Sequence, residues 1–553
     1  ATFELITSFN EGALFGVGQG LTWLFALLSL ALVVLIASGA AKLWFESSYK
    51  IFFSDDDPRL VAYEAMEDAY TRGDNVAYVL EPDNGKVFTP ANLEAVIWLT
   101  DQSWQLQRSV RVDSISNFQY SHAEDDDLIV HDLVRDPASL SDGELAELER
   151  IALAEPVLVD ALISDRAHVT SVNVRVELPD DSREQSAVIP GLMADAYELR
   201  DRFIEKYPQF DVYMMGQVVV NHSFNESASN DTATLVPLMF LAVIVLLTLF
   251  MRSITTTVAT VVIIIVSIVA TLGVTGWLGY QVNQINVSAP IIILTLAVSD
   301  CVHVLISYLK DLRRGLGKLE AMEHALMINI KPVFLTSITT AIGFFSLNFS
   351  DSPPFRELGT SVGFGVLGAM LWSLVLLPGI TLMLPIRVKP VDEDPDRSGP
   401  MLKLANLIIA HNRLIFWSVL AVAAVLISFV TRNEFNDDTV EYFDESLSIR
   451  QAFDFVQDNL TGVDTIAYSL PAGEENGIVD PDYLRQVEAF SRWYESQPEV
   501  THVSTFTDVV KRLNRNMHGD DPTYYRLPDN RELIAQYILL YELSLPMGLD
   551  LNN

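Results

Sequence analysis

The sequence predicts an α-helical membrane bundle carrying α/β external domains of ferredoxin-like order. It also predicts a tandem duplication whose second copy is incomplete. Three observations carry that expectation. Half of the 553 residues are apolar, yet the formal charge is −36, so greasy and acidic segments must alternate along the chain. The apolar residues gather into charge-free windows near the ~20 residues a membrane helix requires, because unpaired backbone polar groups cost too much in hydrocarbon. A pattern of residues between the windows recurs at an offset of 390, the mark of an internal repeat.

The windows are taken in order. The first span is centred on Leu21 to Ala41; it is too long for a signal-peptide core and has no basic leader, so it reads as a helix that stays in the membrane. The second runs from Thr232 to Met251. A run without charge from Ser253 to Ser299 is too long for one helix; it breaks at Gly276 to Val282, with Asn283 and Asn286 following, which reads as a surface turn between spans three and four. The fourth covers about Ser288 to Leu309, the fifth Pro332 to Ser350, the sixth Leu358 to Ile386 and the seventh Leu414 to Thr431. The single cysteine, Cys301, excludes an internal disulfide and reads as a small buried hydrophobe.

Lys310, Arg313, Arg314, Lys318 and Lys331 crowd the connection between spans four and five. Arg387, Lys389, Arg397, Lys403 and Arg413 crowd the one between six and seven. Both connections should be cytoplasmic. The acidic segments then face outward. The expected organisation is a first span region at 1–43, an external domain at 44–231, spans two to six at 232–386, a cytoplasmic linker at 387–413, a seventh span at 414–431 and the start of a second external domain at 432–553.

The first external domain reads as βαββαβ: strand Asn75–Leu80, a helix opened by Thr89-Pro90 and running to Leu106, strand Val110–Ser114, strand His168–Val176, helix Gly191–Lys206 and strand Phe210–Gly216. The stretch from Phe118 to Asp165 is inserted between the halves, with a helix near Ser139–Ala154 whose Ser141 and Glu144 form a capping box.

The repeat aligns Phe45 with Phe435, Phe52-Phe53 with Tyr442-Phe443, Ala62-Tyr63 with Ala452-Phe453, Asp68 with Asp458, and Val76–Leu80 with Ile466–Leu470. One residue of extra offset then aligns Pro90, Leu93, Val96 and Val112 with Pro481, Leu484, Val487 and Val503. The repeated unit is one span, an external domain and five more spans. Asn553 corresponds to about Leu162 of the first copy, so a longer native chain is expected, extended by about the length of Leu162 to Ile386.

This arrangement resembles the RND transporter superfamily. The run Leu296-Ala297-Val298-Ser299-Asp300-Cys301-Val302-His303 is similar to the acidic signature of its fourth helix, and Leu335-Thr336-Ser337-Ile338-Thr339-Thr340-Ala341-Ile342-Gly343-Phe344 to its Thr-rich fifth. Phe52 to Pro58 and Val112-Asp113-Ser114 resemble the predicted-exporter subgroup close to the mycobacterial membrane protein large (MMPL) family. The resemblance implies a secondary active transporter, not an enzyme. It implies export of a lipid, hopanoid or sterol-like amphiphile driven by the proton-motive force, in a bacterial inner membrane with periplasmic domains. Membrane lipids and protons are the implied partners, with room for a homo-oligomer and for a periplasmic carrier or outer-membrane component. Nucleic acid is not implied.

A carboxylate at mid-membrane is costly, so Asp300 is the expected proton-relay group. Ser299, His303 and Ser307 are expected to join it; His303 and Ser307 lie one and two turns on along the same face. Thr336, Ser337, Thr339 and Thr340 form a polar stripe that either hydrogen-bonds toward Asp300 or packs closely through small residues, and Gly343, Gly359 and Gly363 are expected at helix contacts. No cofactor is expected: there is no phosphate-binding G-x-x-x-x-G-K-S/T loop. No metal is expected either, since His122 and His131 merely flank an acidic loop. The other readings in view are a sterol-sensing-like regulator, a sodium-driven transporter and a protein-export accessory.

Overall fold

The structure is a computed structural model; it describes residues 31, 33–46, 48–70, 73–124, 127–386, 388, 400–434, 439–460, 465–474 and 476–546. The chain forms two compact units, Ala1–Ser54 with Asn225–Asp437, and Asp55–Phe224 with Asp438–Asn553.

The second unit begins with α1 (Pro58–Ala69), capped by Asp57. There follow β1 (Asn75–Pro82), α2 (Pro90–Ser103), β2 (Ser109–Ser114), β3 (Gln119–Glu124), β4 (Asp127–Asp132), α3 (Asp142–Ala154), β5 (Thr170–Val176), α4 (Ser182–Lys206) and β6 (Phe210–Met215). Proline at the first turn and Thr89 as N-cap start α2 where the sequence places it. Ser141 and Glu144 close the capping box of α3. Strands β1, β2, β5 and β6 make one antiparallel sheet in the order β2-β5-β1-β6, and β3 and β4 pair as a hairpin. Side chains alternate across a sheet. Tyr78 and its cross-strand neighbours Val172 and Met214 therefore share one face, and Tyr78 donates to the Ala196 carbonyl of α4. Val79 and its neighbour Tyr213 share the other.

The other unit is the bundle. Of the first expected span, residues 21–30 and 32 lie outside the described residues; a short apolar helix, Val33–Lys42, is described. Then come α5 (Gln217–Met251), α6 (Ile254–Trp277), α7 (Ala289–Arg313), α8 (Lys318–Phe345), α9 (Pro353–Leu371), α10 (Leu377–Met383), α11 (Pro400–Ala410) and α12 (Asn412–Ser428). Six helices among the described residues are long and apolar enough to cross a membrane. The charge-free run divides at the expected turn, where Gly279 takes φ +82° just past the end of α6.

Two helices start earlier than their apolar windows, α5 at Gln217 and α8 at Lys318. Hydropathy marks the hydrocarbon segment, whereas polar residues extend a helix freely beyond it. The sixth span is not one regular helix. A π-helical turn, Trp372–Leu376, separates α9 from α10. Pro378 stands at the start of α10 and has no N–H to give to the preceding turn, so the ladder shifts there.

The chain then returns to the first-described unit with α13 (Ser448–Asn459), α14 (Pro481–Glu495), α15 (Phe506–Asn516) and α16 (Arg531–Ser544). Phe455 of α13 stacks on Tyr213 at 4.0 Å between ring centroids. Helix α13 thus covers part of the sheet face opposite Tyr78, at the β6 edge. The strand expected at Ile466–Leu470 is not formed: those residues are in no ladder. A strand needs a hydrogen-bonding neighbour, and the described residues offer it none. Helix α15 is held by a buried ion pair: Arg512, 3% exposed, reaches Glu155 at 3.4 Å and donates to the Tyr541 hydroxyl at 3.0 Å.

Candidate functional site: the buried carboxylate of α7

Helix α7 begins with Pro290 in its first turn and carries Lys310 and Arg313 in its last, a polarity that favours the helix dipole. Asp300 lies near its middle and is 6% exposed. The Ser337 hydroxyl of α8 donates to Asp300 Oδ2 at 3.3 Å. Among the described residues no cation pairs with this carboxylate. A mid-membrane carboxylate costs about 2.5–3.5 kcal/mol on insertion scales, and one hydroxyl is a small return on that cost.

The other sequence-predicted residues are placed as follows. Ser307 joins the same α7–α8 seam: Asn329 Nδ2 donates to its Oγ at 2.8 Å, and it donates to the His303 carbonyl at 3.2 Å. Ser299 and His303 are exposed. Thr336, Thr339 and Thr340 donate to carbonyls of their own helix, not to Asp300. Ser337 is therefore the one hydroxyl of the stripe brought to the acid. Gly363 lies against α8, where an added Cβ would meet the Phe345 ring at 2.6 Å; Gly359 lies there too, its Cβ meeting that of Leu347 at 2.7 Å. Gly343 is exposed, with nothing within 4 Å of an added Cβ.

Three polar residues with such contacts lie outside the sequence-predicted set: Asp311, Asn329 and Glu357. Asp311, 3% exposed, meets His324 Nδ1 at 2.6 Å and Arg314 at 3.6 Å. Asn329 is 7% exposed. At the opposite end of the bundle Glu357 Oε2 accepts from Asn283 at 3.0 Å and Asn286 at 3.3 Å. Asp311 carries a signal that sequence alone contains: it stands eleven residues after Asp300, three helical turns on and on the same face.

Six apolar helices long enough to cross a membrane, with a buried carboxylate among them, define the class as an integral membrane protein. The sequence matches the MMPL family across residues 52–425, and no curated protein matches it. The chain belongs to the MMPL family, RND-type membrane proteins whose members are transporters and not enzymes.

Proposed function

We propose that this chain is a proton-driven RND transporter that moves a lipid-like amphiphile out of a bacterial inner membrane. The observation that carries the reading is Asp300: a carboxylate buried in the bundle, held by one hydroxyl and by no cation among the described residues. Such a group changes charge cheaply only by taking a proton, and intramembrane carboxylates of this kind mark proton relays. Protonation removes the buried charge and lets helices shift, the basis of alternating access by repeated halves. Ser337 orients the acid; beside it Ser299 and His303 form an exposed polar strip that is costly to leave in hydrocarbon. We read that strip as covered by further helices.

Element positions support the duplication. The 3₁₀ turn Tyr49–Phe52 and α1 recur at an offset of 390 as Thr439–Tyr442 and α13, and α2 recurs as α14 at 391. The sheet order β6-β1-β5-β2 supports the ferredoxin-like reading of this unit. The Lys and Arg residues near Lys310 to Lys331 support a cytoplasmic reading of that end and a periplasmic reading of the sheet-bearing segments.

The test compares envelope lipids of the host strain, a deletion and Asp300→Asn at matched expression. A lipid defect shared by the deletion and Asp300→Asn is the expected result. A defect in the deletion alone would make Asp300 structural and remove the proton-relay reading. No lipid change in either strain would remove the substrate reading.

A further inference from the structure

The α7–α8 seam is polar beyond Asp300. Three α7 side chains each meet one α8 side chain: Asp300 with Ser337, Ser307 with Asn329, and Asp311 with His324. The helices run antiparallel, so these contacts succeed one another toward the Lys/Arg-rich end. Asp300 and Asp311 lie on one face, roughly 16 Å apart along the axis at ~1.5 Å per residue. The last contact differs from the others. Asp311 is buried at 3% exposure, whereas the His324 side chain is 45% exposed. One partner is enclosed in the seam and the other is half exposed at its edge.

We infer that Asp311 and His324 are the proton-exchange port of this seam, passing protons between bulk water and the path to Asp300. This deepens the proton-relay reading of Asp300 and rests on it. In the inward direction a hydronium ion protonates His324 Nε2 and leaves as water, and the imidazolium hands its Nδ1 proton to the Asp311 carboxylate Oδ2 across the 2.6 Å contact. One proton enters the ring and one leaves it, so the imidazole ends neutral and its tautomer resets through water at the exposed edge. Imidazole is the side chain suited to this exchange near neutral pH. Asp311 then carries the proton toward Ser307 and Asn329, with water completing the hops to Asp300. Within ion-pair range of Asp311 stand Arg314, at 3.6 Å, and His324. The other charged groups on these helix ends are Lys310 and Arg313 on α7, Lys318, Glu320 and Glu323 on α8, and Arg252 after α5. Arg313 and Lys318 donate to the Met251 and Leu384 carbonyls.

The test needs no transported substrate. The whole chain in open membrane sheets is given a downward pH jump, and the protonated-carboxyl infrared band that Asp300→Asn abolishes is followed in time. His324→Ala should slow the rise of that band about tenfold without changing its final amplitude, and added imidazole should restore the rate. Asp311→Asn, which keeps the side-chain shape, should slow it likewise, with Asp311→Glu recovering most of the rate. A helix-pinning role alone would move amplitude or band position and would not respond to imidazole. Unchanged rates in His324→Ala and Asp311→Asn would overturn the port while leaving the Asp300 reading standing. If no titrating band is lost in Asp300→Asn, the relay reading falls and takes the port with it.

Discussion

At the scale of single residues, burial decides what a charge can do. Asp300 and Glu155 are both carboxylates out of water, at 6% and 5% exposure, but their partners differ. Glu155 faces Arg512 at 3.4 Å and Arg515 at 3.6 Å, so its charge is compensated and has a structural task. Breaking a buried pair by removing one member costs up to about 3–5 kcal/mol, less here for Arg512 because Glu155 keeps Arg515, whereas replacing a whole buried pair by apolar groups is often neutral. Arg512→Met should therefore lower the thermal midpoint of the purified protein clearly, and Glu155→Leu with Arg512→Met should recover much of the loss. A double variant no better than the sum of the singles would show that contacts beyond this pair dominate, those of Arg512 with Tyr541 and Phe118 or of Glu155 with Arg515. Legibility in the sequence follows the same division. Asp300 could be read because a lone acid in an apolar run is anomalous wherever the run folds. Its partner could not be read: Ser337 stands among Thr336, Thr339 and Thr340, and only the packing of α8 on α7 selects it.

At the scale of elements, period and composition showed where helices and strands lie, and long-range partners decided the rest. Strand β1 was legible as the short apolar run Val76–Leu80 and is stable because β5 and β6 flank it. Residues 466–470 carry a similar pattern and stay without a ladder, because no neighbour is present among the described residues. The cover of the sheet's second face was invisible in sequence, since α13 arrives from more than two hundred residues away. That helix buries Ile449, Ala452, Phe453 and Val456 and stacks Phe455 on Tyr213. An aromatic stack adds about 0.5–1.5 kcal/mol beyond the area it buries, and 1.4 kcal/mol is a factor of ten in a local opening equilibrium. Phe455→Ala should raise amide hydrogen exchange across Ser448–Asn459 at least tenfold while α2 and α4, on the other face, keep their protection. Equal loss of protection in all three helices would mean that the unit opens as a whole and α13 is no separate cover.

At the scale of the whole molecule, connectivity and charge can be set against each other. Between Phe224 and Asp438 the described chain offers six membrane spans. An even number returns the chain to the side it left, and the two outer segments do pack into one unit, joined by Glu155–Arg512 and by Tyr213–Phe455. Parity makes the two segments share a side; it does not say which side. The proposed orientation takes it from the basic residues between Lys310 and Lys331, which the positive-inside tendency assigns to the cytoplasmic face. The chain is well suited to testing the choice, because its single cysteine, Cys301, is fully buried and silent to labelling. Single cysteines at exposed Ala146 on α3, Gln486 on α14 and Glu320 on α8 should divide into two classes with a membrane-impermeant maleimide on spheroplasts. Ala146→Cys and Gln486→Cys should label in intact spheroplasts, and Glu320→Cys only after permeabilisation. The reverse pattern would invert the orientation and put the Asp311–His324 port outside. Labelling of Ala146→Cys and Gln486→Cys from opposite sides would break the span count itself, and with it the reading of the chain as one repeated unit crossing the membrane six times before it begins again.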